Sequence, residues 1–164
     1  MSSLSAANAK FTLDLLPHLG EAAGNVFYSP VSITSALAML YLGAKGNTAR
    51  QIEKVGNLDK CKSLKSGNVH QQFQKFLTEL NKPSDAYKLE IANRIYGEKK
   101  FRFLQEYLDG LKKFYLANVE SLDFRNAPEE SRKKINSWVE SQTNGRWRGY
   151  CFLLLLLLLF CFVL

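Results

Sequence analysis

Two histidines, three cysteines and a cluster of hydroxyls are the residues on which any chemistry of this 164-residue chain would rest. Asp59, Cys61 and His70 carry the residue types of an orienting acid, a thiol nucleophile and a base. A thiolate and an imidazole act together only when rigid elements hold them within hydrogen-bond reach. The stretch from Gly56 to Asn68 is rich in Lys, Ser and Gly and reads as a polar linker, so nucleophilic catalysis is not expected there. His18 follows Pro17 near the end of a helical pattern and reads as a surface or capping residue. Phosphate-cradling glycine loops and metal-ligand spacings are missing from the sequence. The expectation is a protein that is not an enzyme, with no cofactor and no metal site.

The hydroxyls raise a different question. Ser29, Ser32, Thr34 and Ser35 lie in "FYSPVSITSALAMLYLGAKG", and nothing between Glu21 and Lys45 ionises. A surface helix carries a charged stripe opposite its apolar one, so an uncharged helix of this length calls for cover on every side. Ser29 followed by Pro30 is a helix start: the hydroxyl can accept from a first-turn amide, and Pro occupies a position whose amide would be unpaired anyway. Gly43 and Gly46 close this helix, and Thr48 opens another through Ala49, Ile52 and Val55.

The remaining elements follow from periodicity. Leu4, Ala7, Phe11, Leu15 and Leu19 return at three- and four-residue steps and predict an amphipathic first helix. Phe73, Phe76, Leu77 and Leu80 mark a helical face that ends by Pro83. Over 87–97 the period changes to two, with Tyr87, Leu89, Ile91 and Ile95 on one side and Lys88, Glu90 and Arg94 on the other. A helix over about 103–117 and a second strand over 118–124 follow, an order that implies a crossover and a parallel pair. Asn126 and Glu129 are spaced as a capping box for a last helix carrying Ile135, Trp138, Val139 and Gln142, with Gly145 placed to stop it.

Length and composition bound the class. The 46% hydrophobic and 23% charged residues are those of a globular chain, not a disordered one. The net charge is +7. Eleven basic residues against five acidic ones lie between Lys54 and Arg102, and such a surplus reads first as a solvated face. The start "MSSLSAANAKFTLDLLPHLG" lacks the basic lead and apolar run of a secretory signal. The three cysteines suggest no disulfide framework, and a reducing compartment is expected.

Six helix candidates thus surround two strands and a short third candidate at "NVFYS". So few strands leave unprotected edges, and the uncharged helix lacks the broad sheet that would cover it. "NVFYSPVSITSALAMLYLGAKGNTARQI", "ANRIYGEKKFRFLQEYLDGLKKFY" and "INSWVESQTNG" resemble the serpins in that order and at the family's spacing. The likeness runs from about Leu4 to Gly145, and the signal-less start is similar to the ovalbumin-type intracellular branch. It implies an α+β fold: the N-terminal part of a serpin, about six helices with the first strands of the central sheet, as a partial domain over 1–145. It also implies that the uncharged helix lies behind that sheet.

By the same resemblance, Ser29, Pro30, Ser32 and Asn136 fall in the shutter region, where the sheet must part. Small hydroxyls there would satisfy backbone groups in both arrangements; the plainer alternative is packing, with a cap at Ser29. The family traps serine proteases, and sometimes cysteine proteases, by inserting a cleaved bait loop as a new strand. The sequence stops less than halfway through that fold, so no reactive-centre loop is expected in it, and the chain reads as a non-inhibitory fragment. A basic stretch of Lys60, Lys62, Lys65, Lys75 and Lys82 is the candidate site for a glycosaminoglycan or other polyanion; nucleic acid is not expected. Cytoplasmic placement follows from the branch, with unconventional release to the extracellular space as the alternative.

From Arg146 the likeness ends, and residues 146–164 form a non-homologous Leu- and Phe-rich tail. It holds fifteen consecutive apolar residues from Tyr150 to Leu164, short of the about twenty that span a bilayer as a helix. Two readings stand: a tail anchor giving weak membrane association through 150–164, with Arg146 and Arg148 on the cytosolic side, or the translation of a retained pyrimidine-rich intron.

Overall fold

The computed structural model describes residues 3–20, 26, 28–61, 68–82, 93–142 and 145. The tail, Lys62, Lys65, and the expected strand residues Tyr87, Leu89 and Ile91 lie outside them. The described elements are α1 (Ser3–Leu19), α2 (Pro30–Gly43), α3 (Gly46–Val55), a 3-10 turn (Leu58–Cys61), α4 (Val69–Leu80), β1 (Ile95–Glu98), α5 (Gln105–Tyr115), β2 (Val119–Leu122) and α6 (Pro128–Gln142). They fall into two compact units: Met1–Asn93 with Gln105–Ala117, and Arg94–Leu104 with Asn118–Leu164.

The first unit is helical. α1 buries Leu4, Ala7 and Phe11, the first three members of the expected stripe. Ser29 caps α2 as its side chain accepts from the Ser32 amide at 3.3 Å, and Pro30 takes the first helical position. Of the four hydroxyl residues only Thr34 and Ser35 are buried, while Ser29 is exposed and Ser32 half-buried. The Thr34 hydroxyl donates to Asn8 Oδ1 of α1 at 3.0 Å and lies within reach of the Pro30 and Val31 carbonyls. Helix α2 packs against α1, α3, α4 and α5. Ile33, Leu37 and Leu40 stay half-buried, so cover on every side is not reached among the described residues.

Close approach of α2 and α5 rests on two glycines. A Cβ on Gly43 would sit 2.9 Å from the Tyr107 ring, and one on Gly110 would sit 2.9 Å from Leu42. Leu111 of α5 and Phe73 and Leu77 of α4 are all but closed to solvent.

Three local expectations change. The Gly56–Asn68 linker begins with a buried turn: Leu58 and Cys61 are 2% and 0% exposed, after Asn57 at φ 52. Hydrophobic burial overrides the polar neighbours here. Buried Gln72 holds this turn to the helices, its Nε2 donating to the Cys61 carbonyl at 2.6 Å while its Oε1 accepts from Ser3 Oγ at 2.7 Å. Secondly, α3 starts at Gly46, not Thr48, with Gly46 at φ +59 in the left-handed region where glycine meets no Cβ clash.

The third change concerns capping. Asn126 and Glu129 do not form the expected box: Asn126 donates to Asp123, and Glu129 pairs with Arg132. The reciprocal box instead opens α4, where Asn68 Oδ1 accepts from the Gln71 amide at 2.9 Å and Gln71 Oε1 accepts from the Asn68 amide at 3.1 Å.

The second unit is built on a parallel pair. β1 aligns with β2 from Ile95 opposite Val119 to Glu98 opposite Leu122, and α5 stands between them in sequence, as a parallel connection requires. The strand expected over 87–97 is described only from Ile95. Tyr96, Leu122 and Ile135 form its core, with Phe124 and Trp138 packed against them. Arg94 pairs with Glu120 at 2.6 Å and lies over the Trp138 ring at 4.7 Å. Both outer edges of this two-stranded sheet are unpaired among the described residues.

Candidate functional site

Ser29, Pro30 and Ser32 gather at the first turn of α2. Ser32 Oγ lies 3.0 Å from Ser29 Oγ, so the two hydroxyls and the Ser32 amide form one small hydrogen-bonded knot. It contains no base, acid or cation, so it is not built for bond cleavage. Ser35 Oγ, one turn on from Ser32, is buried with no hydrogen-bond partner among the described residues. Asn136 lies half-buried on α6 in the second unit, so the structure describes it separately from the serines.

The Asp59, Cys61 and His70 grouping gives no nucleophile. Burial, and after it the nearby Asp59 carboxylate, pushes the Cys61 thiol up from its usual value and away from thiolate. His70 takes other partners. Its Nδ1 is 2.5 Å from Tyr115 Oη, its ring stacks on Tyr41 at 5.5 Å, and Phe114 stands 5.9 Å away. Burial lowers the imidazole from 6.5 to about 4, so it is neutral at physiological pH.

The network continues through Tyr115, which donates to the Ala38 carbonyl at 3.2 Å, and through Tyr107, which donates to the Met39 carbonyl at 3.3 Å. Burial raises both phenols, Tyr107 to about 12. Since one Tyr115 proton goes to Ala38, the geometry assigns the His70 proton to Nδ1, where it donates to the phenol oxygen. This link between α4, α5 and α2 escaped the sequence reading because its members are 45 and 77 residues apart.

Of the five candidate polyanion-binding lysines, only the Lys75 and Lys82 side chains fall among the described residues. Lys75 is exposed on α4, and Lys82 pairs with Glu79 at 2.6 Å; the Lys60 side chain, Lys62 and Lys65 lie outside the described residues. The loop Lys99–Leu104, "KKFRFL", interleaves three cations with three apolar side chains.

A family model described as serpin (serine protease inhibitor) matches residues 6–149. Serpin B3 of Homo sapiens is 60% identical over 158 residues, covering 89% of this chain and 40% of the relative. Leukocyte elastase inhibitor of Equus caballus is 45% identical over 148 residues, covering 89% and 38%. Among solved structures, ovalbumin from emu (Dromaius novaehollandiae) superposes with a TM-score of 0.83 at 37% identity, covering 90% of this chain and 41% of that one. The chain therefore spans about two fifths of the length of the relatives it matches. With its helices, its parallel strand pair and nearly all its length matched, the chain belongs to the serpin family.

Proposed function

We propose that the chain carries the N-terminal scaffold of a serine-protease inhibitor of the serpin kind, and that the 164-residue polypeptide alone does not inhibit. The observation that carries this reading is the match to inhibitors over only about 40% of their length. Trapping a protease by strand insertion needs a cleavable loop and a sheet that opens to receive it. This reading assigns neither to any residue of this chain. It gives Ser29, Pro30, Ser32 and Asn136 a shutter role, where such a sheet would part, and it assigns the chain to the cytoplasm, as its branch of the family implies.

Incubation of the polypeptide with elastase-like and chymotrypsin-like serine proteases, and with a papain-like cysteine protease, should leave their activity unchanged. Denaturing gels should show no complex that survives detergent. A covalent protease adduct, or stoichiometric loss of protease activity, overturns the proposal.

A further inference from the structure

We infer that the loop Lys99–Leu104 is a docking surface for an anionic lipid bilayer. The loop leaves β1 at the C-terminal end of the strand pair and is pinned at four points. The Lys99 amide donates to the Leu122 carbonyl and the Phe101 amide to the Glu98 carbonyl, each at 2.8 Å. The Phe103 ring lies on Gly97, where a Cβ would come within 2.3 Å of it, and Phe101 meets Phe103 edge-on at 4.8 Å.

What this frame presents outward is unusual for a surface turn. Phe101 is 54% exposed and Leu104 73% exposed, and Lys100 and Arg102 alternate with them on exposed backbone. Arg125 stands at the same end of the pair, its amide donating to Glu98.

Among the described residues Asp123 and Glu98 stand at this end; Asp123 is paired, and Glu98 is engaged through one oxygen while its Oε1 is buried without a partner. Asp123 takes Lys99 at 2.6 Å and is held down to about 2 by that hydrogen bond and those from Asn126. One oxygen of Glu98 accepts the Phe124 and Arg125 amides at 3.0 and 3.3 Å. Lys100, Arg102 and Arg125 make no ion pair among the described residues. Four cations and two carboxylates thus belong to this end among the described residues, with the exposed Phe101 and Leu104 interleaved with the cations in sequence.

A sulfated polysaccharide would satisfy the cations but leave Phe101 and Leu104 in water. The boundary of headgroups and acyl chains takes both kinds of group at once. The pinned loop also loses little conformational entropy on docking.

The test uses the full chain with vesicles of phosphatidylcholine alone and of phosphatidylcholine with phosphatidylserine. Each cation near an anionic surface is worth about a fivefold change in partition, so K100E/R102E should weaken the phosphatidylserine-dependent part of binding more than about tenfold. F101S/L104S should weaken it comparably, and both changes are on exposed side chains, which a circular dichroism spectrum equal to the parent's would confirm. Binding by the tail appears as adsorption to phosphatidylcholine alone, which neither variant should alter.

A Phe101→Trp variant adds a local reading: lipids brominated on the acyl chains should quench it beyond the parent's Trp138 and Trp147 only with phosphatidylserine present. Absence of a phosphatidylserine-dependent increment, or absence of that extra quenching, overturns the inference. Retention on heparin that K100E/R102E abolishes and F101S/L104S leaves untouched, without vesicle binding, would assign the loop to a polysaccharide and overturn it equally.

Discussion

Leu111→Ala should destabilise the helical unit by about 3 kcal/mol or more, a large share of the about 5–15 kcal/mol that holds a typical domain. Leu111 is fully closed to solvent on α5, the helix that packs on both α2 and α4. Truncation leaves a cavity between helices whose approach is already set by Gly110 against Leu42 and Gly43 against Tyr107. These contacts hold the backbones apart at a fixed spacing, so the site cannot collapse to fill the void. Leu104→Ala, by contrast, removes a side chain that is 73% exposed and should change stability by no more than about 0.5 kcal/mol. Urea titrations followed by the helix signal separate the two. Equal midpoints for Leu111→Ala and the parent would mean that α5 is not packed on α2 and α4 in solution.

Acid should loosen the same unit through His70. Its folded-state value is lowered to about 4 because burial disfavours the imidazolium, whereas the unfolded chain protonates near the ordinary 6.5. Between these values the unfolded state binds more protons, so stability rises with pH. It is complete above about pH 6.5, erodes as pH falls towards about 4, and changes no further from this group below that. The ring keeps some contact with water, and after discounting for that the loss is about 1–2 kcal/mol.

The groups around the ring match this reading. Tyr41, Phe114 and Tyr115 surround it. Charged groups touch those residues: Glu53 accepts from the Tyr41 hydroxyl, and Lys113 lies over Phe114. Denaturant midpoints measured from neutral to acid pH for the parent and for His70→Phe should diverge in slope over this window, whatever constant offset the lost Tyr115 contact adds. Parallel profiles would remove His70 as the source of acid sensitivity.

The parts of this fold legible in the sequence are those in which cause and effect lie within a few residues. Leu4, Ala7 and Phe11 announce the buried face of α1 by helical spacing, and Ser29–Pro30 announces the start of α2 by cap chemistry. The serpin likeness is written in consecutive residues as well, and residues 6–149 match the family. Cap spacing alone was not decisive. Asn126 with Glu129 and Asn68 with Gln71 offer the same pattern, but Asp123 captures Asn126 and only the second pair closes.

By itself, then, the sequence determined the family and the order of the elements. Tertiary structure alone decided which polar-looking residues go inside and which apolar ones stay out. Cys61 reads as linker but is buried, in a turn whose Cys61 carbonyl accepts from Gln72 Nε2, eleven residues away. His70 reads as a stray base, and is neutral because burial among residues that include Tyr115, 45 positions away, disfavours the imidazolium. "KKFRFL" reads as part of a strand-to-helix connection, yet Gly97 seats Phe103 and leaves Phe101 and Leu104 exposed. In each case the deciding free energy is desolvation by a partner distant in the chain, and a window of neighbouring residues carries no record of it.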